Sequence, residues 1–138
     1  MIPRSIFTPE HEDFRRTFRR FIDEEMVPHH ERWEEQQSVD RPIWNRAGEL
    51  GFLCVTMDEE YGGAGADRLY SVAMIEEMAR AGVTGSGFML HSDIVANYIN
   101  NFGNEEQKLH WLPRMATGEL VGAIAMTPAP SSRTTPIF

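Results

Sequence analysis

The sequence predicts an all-α fold, a helical bundle, followed by one orphan β-strand and a disordered tail. Three observations lead to this prediction. Apolar residues recur every three or four positions in five segments of the first 118 residues, and glycine or proline separates the segments. A short apolar run at 120–126 lacks the helical period. The last eleven residues contain three prolines and no periodic pattern, which is typical of disorder.

The first predicted helix begins at Pro9. Thr8 is a favourable N-cap residue, and proline suits the first helical position because its missing N–H is not needed there. Phe14 and Phe18 are four residues apart and predict an apolar stripe that faces the core. Pro28 is expected to end or kink this helix, with a polar helical continuation on the surface as far as residue 37.

Four arginines alternate with the aromatic residues of this helix: Arg15, Arg16, Arg19 and Arg20. The pattern favours the solvated face of an amphipathic helix over a patch that binds RNA or a membrane. The net charge of −8 also argues against a nucleic-acid partner, because phosphate binding needs an excess of clustered lysine and arginine.

Three further helices are predicted in the middle of the chain. Asp40 is expected to cap a short helix that ends at Gly51. A glycine-rich loop at 51–65 follows, in which glycine permits backbone shapes that other residues avoid. Apolar residues at helical spacing then predict helices over 67–81 and 88–101.

The last predicted helix begins after Asn104. Gln107, three residues on, completes the pattern of a capping box, and Gly118 ends the helix. The run at 120–126 is short, apolar and β-branched in places, so it is interpreted as a strand. A strand without partners is not stable, and the sequence supplies no second one.

Neither a catalytic residue nor a metal site is predicted from the residues themselves. Cys54 is the single cysteine, so an intramolecular disulfide is excluded. With no base near it in sequence, Cys54 is interpreted as a small buried residue. Glu106 and His110 share one helix face, but a metal site needs a fuller ligand set than this pair offers.

The sequence predicts a cytoplasmic protein without a membrane span. No apolar run approaches the ~20 residues that a bilayer-spanning helix requires. The first residues also lack the apolar stretch of a secretory signal.

The order of these features resembles the amino-terminal part of the acyl-CoA dehydrogenase family. The resemblance covers about residues 6–127, and three segments are most similar to its long-chain branch: Pro-His-His at 28–30, Gly-Phe-Met-Leu-His-Ser-Asp-Ile-Val at 87–95 and Gly-Ala-Ile-Ala-Met-Thr at 122–127. Further matching segments lie at 14–21, 43–44, 51–63, 76–77, 103–108, 112–113 and 118.

The resemblance implies a function that the residues alone do not. Members of this family bind FAD between a helical amino-terminal domain, a middle β-domain and a helical carboxy-terminal domain. They remove a proton and a hydride from adjacent carbons of an acyl-CoA thioester, and the base is usually a glutamate of the carboxy-terminal domain. The implied partners are acyl-CoA and an electron-transferring flavoprotein, and the intact enzyme is expected to be a homo-oligomer.

The resemblance also assigns candidate site residues. Ile124, Met126 and Thr127 match the family segment that meets the pyrimidine edge of the flavin. Gly87, Leu90 and Ile94 match the helix face that lines the acyl-chain pocket. Ordinary packing in the protein core is the alternative for both sets, and for the helix face it is the favoured one because most apolar helical stripes pack against a core.

The sequence departs from the family pattern after Thr127. The family continues with Glu-Pro-Gly-Ala-Gly-Ser-Asp, whereas this chain continues with Pro-Ala-Pro-Ser-Ser-Arg. The predicted organisation is therefore a helical domain at 1–118, the first strand of a missing β-domain at 119–127 and an unrelated tail at 128–138, either a frameshift or a real terminus. Such an amino-terminal fragment is expected to be inactive alone.

Two alternative functions stay open at this point. The same architecture serves acyl-CoA oxidases and flavin monooxygenases. The second alternative is a non-catalytic helical interaction module, in which the strand at 120–126 would recruit a partner by edge pairing.

Overall fold

A computed structural model describes residues 5–125, without the side chain of Thr84, and within this range the fold is built from α-helices. The helices are α1 (Pro9–Phe21), α2 (Val27–Glu35), α3 (Arg41–Glu49), α4 (Arg68–Ala81), α5 (Ala96–Phe102) and α6 (Glu105–Ala116). Two π-helical turns lie at Ile22–Met26 and Leu90–Val95, and 3-10 turns lie at Glu59–Tyr61 and Thr84–Ser86. The predicted helical class is confirmed.

A π turn joins α1 to α2 and lets the helical chain continue past Pro28. Proline has no N–H and crowds the carbonyl four residues before it, so it disrupts an ordinary α-helix. Here the turn at Ile22–Met26 is widened, and the N–H of Val27 bonds to the carbonyl of Ile22, five residues back. Pro28 therefore sits in the first turn of α2, and the predicted helical continuation is present but ends at Glu35, two residues before the predicted end.

An aromatic cluster forms the centre of the main core. Phe18 is fully buried and its ring lies 4.9 Å from that of Phe52, which comes from the glycine-rich loop. Phe21 lies 5.2 Å from the same ring, and α1 packs against α4 beside them. The loop at 51–65 thus contributes core side chains as well as a turn.

A second, smaller core joins this loop to the end of the helical chain. Its buried members are Cys54, Met57, Tyr61, Ala96, Leu112, Met115 and Ala116. The Tyr61 hydroxyl also donates a hydrogen bond of 2.7 Å to Glu105, at the start of α6. The loop is therefore attached to the helices near both of its ends, by Phe52 in the main core and by Tyr61 in the second core.

Two predicted helix caps behave differently. Asn104 accepts a hydrogen bond from the N–H of Gln107 at 2.9 Å, and the Gln107 side chain accepts one from the N–H of Asn104 at 3.0 Å, so the predicted capping box is confirmed. Asp40 occupies the N-cap position of α3, but its carboxylate binds Arg32 and Gln36 instead of the helix backbone. The Arg32 guanidinium holds the pKa of Asp40 well below its usual range.

The interpretation of the arginines of α1 as a solvated face is wrong for Arg15. That residue is 6% exposed, and its guanidinium donates to Glu76 at 2.7 Å and to Glu77 at 3.0 Å. Arg19 also binds Glu77, whereas Arg16 pairs with Asp13 on the surface. Helical periodicity places Arg15 and Arg19 on one side of α1. It does not reveal that α4 carries the carboxylates that lie opposite them.

The predicted β-strand is not present in the part of 120–126 that the structure describes. Residues 121–125 have no regular secondary structure. A strand needs a neighbour to accept its hydrogen bonds, and no second strand exists among residues 5–125 to supply one. The edge-pairing alternative concerns a strand formed with a partner and stays untested, and the predicted tail at 128–138 lies outside the described residues.

None of the helices within residues 5–125 has the length and apolar character needed to cross a bilayer.

Candidate functional site

The predicted face of Gly87, Leu90 and Ile94 is partly exposed, but only Leu90 and Ile94 lie within the helical segment, whereas Gly87 precedes it with a φ of +77°. Gly87 ends the 3-10 turn, and a Cβ added there would lie 4.0 Å from the Trp44 ring. Leu90 is half-buried, whereas Ile94 is 43% exposed. Ile94 is therefore not part of the core that the described residues form among themselves.

Exposed aromatic side chains extend this face along α5. Tyr98 is 58% and Phe102 is 80% exposed, and Trp111 of α6 is 43% exposed. An open groove of about 380 Å³ lies between the two helices, lined by Tyr98, Ile99, Phe102, Gly103, Gln107 and Trp111. Contiguous exposed apolar surface of this kind marks a site of contact with a ligand or with further protein.

His91 lies beneath this face and is fully buried. Its Nδ1 accepts a hydrogen bond of 2.9 Å from the N–H of Gly122, and its Nε2 lies 3.1 Å from the carbonyl oxygen of Met115. Burial lowers the pKa of His91 below its ordinary value, against the smaller opposing effect of the Met115 carbonyl. The imidazole is therefore neutral near pH 7.

Cys54 lies close to His91 without forming a nucleophile–base pair. Its Sγ is 3.9 Å from Nε2, but the proton on Nε2 is directed to Met115. Burial raises the pKa of the Cys54 thiol to about 12, so the reactive thiolate does not form at neutral pH. The interpretation as a small buried residue agrees with an exposure of 1%, although the nearby histidine could not be recognised from a position 37 residues away.

The segment after α6 is attached to the bundle by its backbone. The N–H of Leu120 bonds to the carbonyl of Arg114 at 3.0 Å, and Arg41 donates to the carbonyl of Glu119. A Cβ on Gly122 would lie 2.8 Å from a methyl carbon of Val95 and 2.9 Å from the methyl carbon of Met115, so this backbone is in close contact with both helices. A larger residue at this position would require the side chains of Val95 and Met115 to shift.

The structure brings the segment after α6 into contact with the helical segment that carries Leu90 and Ile94. Gly122 contacts His91 and Val95, which are sequence neighbours of Leu90 and Ile94. Ile124 is 37% exposed. The other two candidate flavin contacts, Met126 and Thr127, lie outside the described residues.

Asp93 adds a buried carboxyl to the same helical segment. One oxygen accepts a hydrogen bond of 2.8 Å from Ser71 of α4, and the other has no partner among the described residues. Burial raises the pKa of Asp93 above its ordinary value. No group of three or more potential metal ligands occurs within the described part of the chain.

Comparison with known proteins identifies the family of the chain. The sequence model described as "Acyl-CoA dehydrogenase, N-terminal domain" matches residues 8–119.

The chain belongs to the acyl-CoA dehydrogenase family.

Individual family members agree with this assignment. The chain is 50% identical over 125 residues to the pig (Sus scrofa) long-chain specific acyl-CoA dehydrogenase, mitochondrial, a match that covers 90% of this chain and 29% of the pig protein. The crystal structure of an acyl-CoA dehydrogenase from Geobacillus kaustophilus superimposes with a TM-score of 0.87 at 45% identity, covering 94% of this chain and 35% of that one.

A third family member was solved with its cofactor. The acyl-CoA dehydrogenase from Bacillus anthracis, complexed with FAD, superimposes with a TM-score of 0.77 at 38% identity and covers 87% of this chain and 21% of that one. The present chain thus spans about 29% of the length of the pig acyl-CoA dehydrogenase.

Proposed function

We propose that this chain forms the amino-terminal helical part of an FAD-dependent acyl-CoA dehydrogenase that oxidises fatty acyl-CoA thioesters. The identity of 50% to a long-chain specific relative is the observation that carries the proposal. The exposed apolar face on the helical segment from Leu90 to Phe102 supports it, because an acyl chain is an apolar ligand.

Gly87, Leu90 and Ile94 are proposed to form one wall of the acyl-chain pocket. The absence of a side chain on Gly87 leaves space beside Trp44, and the apolar surfaces of Leu90 and Ile94 are available to a ligand. Each methylene group that moves from water into such a pocket contributes about 0.8 kcal/mol. A long chain would therefore gain more from this wall than a short one.

Ile124, Met126 and Thr127 are proposed to border the flavin. The backbone N–H and C=O groups at 123–125 have no hydrogen-bond partner among the described residues. Such groups fit the polar edge of the flavin pyrimidine ring, which presents both donors and acceptors. When bound, FAD supplies the hydride acceptor, and the role of this chain is to orient the cofactor and exclude water from it.

The partners of the intact enzyme and its location are also proposals. Acyl-CoA is the substrate, an electron-transferring flavoprotein is the electron acceptor, and the subunits form a homo-oligomer. The predicted cytoplasmic location stays a prediction, since the name of the pig relative assigns that protein to mitochondria.

A chimera tests the proposed function. Residues 5–125 replace the aligned segment of the Geobacillus kaustophilus enzyme, and dye reduction is measured with hexadecanoyl-CoA and butanoyl-CoA. We expect an active chimera in which Leu90→Trp lowers the ratio of kcat/KM values, long over short, by about tenfold, because the larger ring blocks the pocket. The 138-residue chain alone is expected to be inactive.

Leu109→Trp is the matched control for this experiment. Leu109 lies on α6 with 57% exposure, so the same enlargement there should leave the chain-length ratio unchanged. A chimera that binds FAD but oxidises neither thioester would contradict the proposed reaction. An unchanged ratio in Leu90→Trp would contradict the assignment of the wall.

A further inference from the structure

The environment of His91 determines which of its nitrogens carries the proton. A backbone N–H only donates, so the nitrogen that faces Gly122 at 2.9 Å must be an unprotonated acceptor. A carbonyl oxygen only accepts, so the nitrogen 3.1 Å from Met115 must carry the hydrogen. Two backbone groups therefore select the neutral tautomer with its proton on Nε2.

The ring itself is immobilised. The imidazole is fully buried and makes an edge-to-face contact with Trp44 at 5.2 Å between ring centroids. Its two backbone partners belong to different segments, since Met115 lies in α6 and Gly122 lies in the segment that follows. His91 thus connects the helical segment that carries Leu90 and Ile94 to the segment that carries Ile124.

The backbone at Gly122 lies close to the side chains of Val95 and Met115. A Cβ at this position would require those side chains to move. Any rotation of His91 would therefore remove the hydrogen bond that holds this glycine to the bundle.

We propose that His91 is a positioning residue, whose neutral imidazole holds the backbone of Gly122 so that the segment carrying Ile124 meets the flavin in a fixed orientation. This inference rests on the proposed function for its consequence, whereas the hydrogen-bond arrangement itself can be tested without a flavin or a substrate.

Protonation of His91 would remove the hydrogen bond that holds Gly122. An imidazolium donates from both nitrogens, so it cannot accept from Gly122, and two N–H groups would then face each other. The surroundings oppose this charge: Arg41 is positive and lowers the pKa of His91. The thiol of Cys54 is neutral, and the carboxyl of Asp93, two residues along, faces Ser71 of α4.

The pH dependence follows from the lowered pKa. The unfolded chain binds a proton at the ordinary value of 6.5, and the folded chain binds it only at lower pH. Between these values the unfolded state holds more protons, so stability is fully present above pH 6.5 and decreases as the pH falls toward the folded-state pKa.

NMR spectroscopy of the ¹⁵N-labelled 138-residue chain tests the proposal. The imidazole nitrogens report the tautomer directly, and we expect a protonated Nε2 and an unprotonated Nδ1 at pH 7.5. The amide signals at 122–125 should then shift together with the titration of His91, with a midpoint below 6.5. A proton on Nδ1, or amide signals at 122–125 that do not shift as His91 titrates, would overturn the proposal.

Two conservative variants separate the roles of the two nitrogens. Asparagine places an acceptor near the position of Nδ1, so His91→Asn should retain the amide exchange rate of Gly122 and lose only the part of its pH dependence that comes from the titration of His91. Glutamine places a donor near Nε2, so His91→Gln should accelerate exchange at Gly122 by about fivefold, the usual worth of one hydrogen bond. The exposed His110→Gln should change neither.

These outcomes are independent of the chimera. If the glutamine and asparagine variants exchange Gly122 at equal rates, the positioning role is refuted even when the chimera is active. If one variant fails to fold, the tautomer and the joint titration in the unsubstituted chain still decide the question.

Discussion

Replacing Gly118 by alanine is expected to lower the free energy of unfolding by at least about 3 kcal/mol. Gly118 has a φ of +76°, and a Cβ there would overlap the carbonyl oxygen of Trp44 and lie 2.6 Å from the carbonyl carbon. Both are backbone atoms of α3, so no side-chain rotation relieves the overlap. The variant therefore combines an unfavourable backbone conformation with a steric clash.

Gly82→Ala is the matched control, because it shares the conformation without the clash. Gly82 has a φ of +74° and no atom within 4 Å of an added Cβ. Its replacement should cost about 1 kcal/mol, from the left-handed conformation alone. Urea unfolding of both variants measures the difference, and equal losses would show that α3 and the end of α6 are not in the close contact described here.

Replacing Glu77 by glutamine is expected to cost about 3 kcal/mol of stability. The Glu77 side chain is 1% exposed and accepts from Arg19 at 2.6 Å, from Arg15 at 3.0 Å and from Arg80 at 3.1 Å. Arg19 and Arg80 can turn to water, but the side chain of Arg15 is buried and would keep only its remaining carboxylate contacts. The loss comes mainly from this buried cation.

The same variant should change the response to acid. Hydrogen bonds from Arg19, followed by those from Arg15, hold the pKa of Glu77 below its ordinary value of 4.5. The unfolded chain therefore takes up this proton at higher pH than the folded one, so the contribution is fully present above pH 4.5 and is lost as the pH falls through the folded-state pKa. Glu77→Gln should lack this part of the acid dependence.

Glu49→Gln provides the comparison for Glu77. Glu49 pairs with Arg46 on the surface, where its side chain is 66% exposed, so the substitution should cost less than about 0.5 kcal/mol. Thermal unfolding at pH 7 and pH 4 measures both variants. Similar small losses in the two would contradict the description of Glu77 as a buried ionic centre.

The helices were predictable because their signals are local. The capping box at Asn104 lies within four residues, and Asp67, which precedes α4, accepts from the N–H of Leu69 two residues away. Spacing and capping chemistry therefore indicate where such helices begin. The same signals do not distinguish an α turn from the π turn at Leu90–Val95, which depends on packing.

The interior of the site was not predictable because its contacts are distant in sequence. His91 and Gly122 are 31 positions apart, and Arg15 and Glu77 are 62 apart. Reasoning from sequence neighbours alone predicts a solvated Arg15. It also predicts that Cys54, which lies near His91, has no base beside it. The run at 120–126 had the composition of a strand, but hydrogen-bonding partners, which composition does not supply, decide whether a strand forms.

The crystal structure of the chimera with bound FAD and a long-chain acyl-CoA analogue tests the central claim most directly. We expect the acyl chain to contact Leu90 and Ile94 within van der Waals distance, and the segment from Ile124 to Thr127 to border the flavin. An acyl chain that lies elsewhere, with Leu90 and Ile94 covered by protein, would contradict the proposed role of this chain.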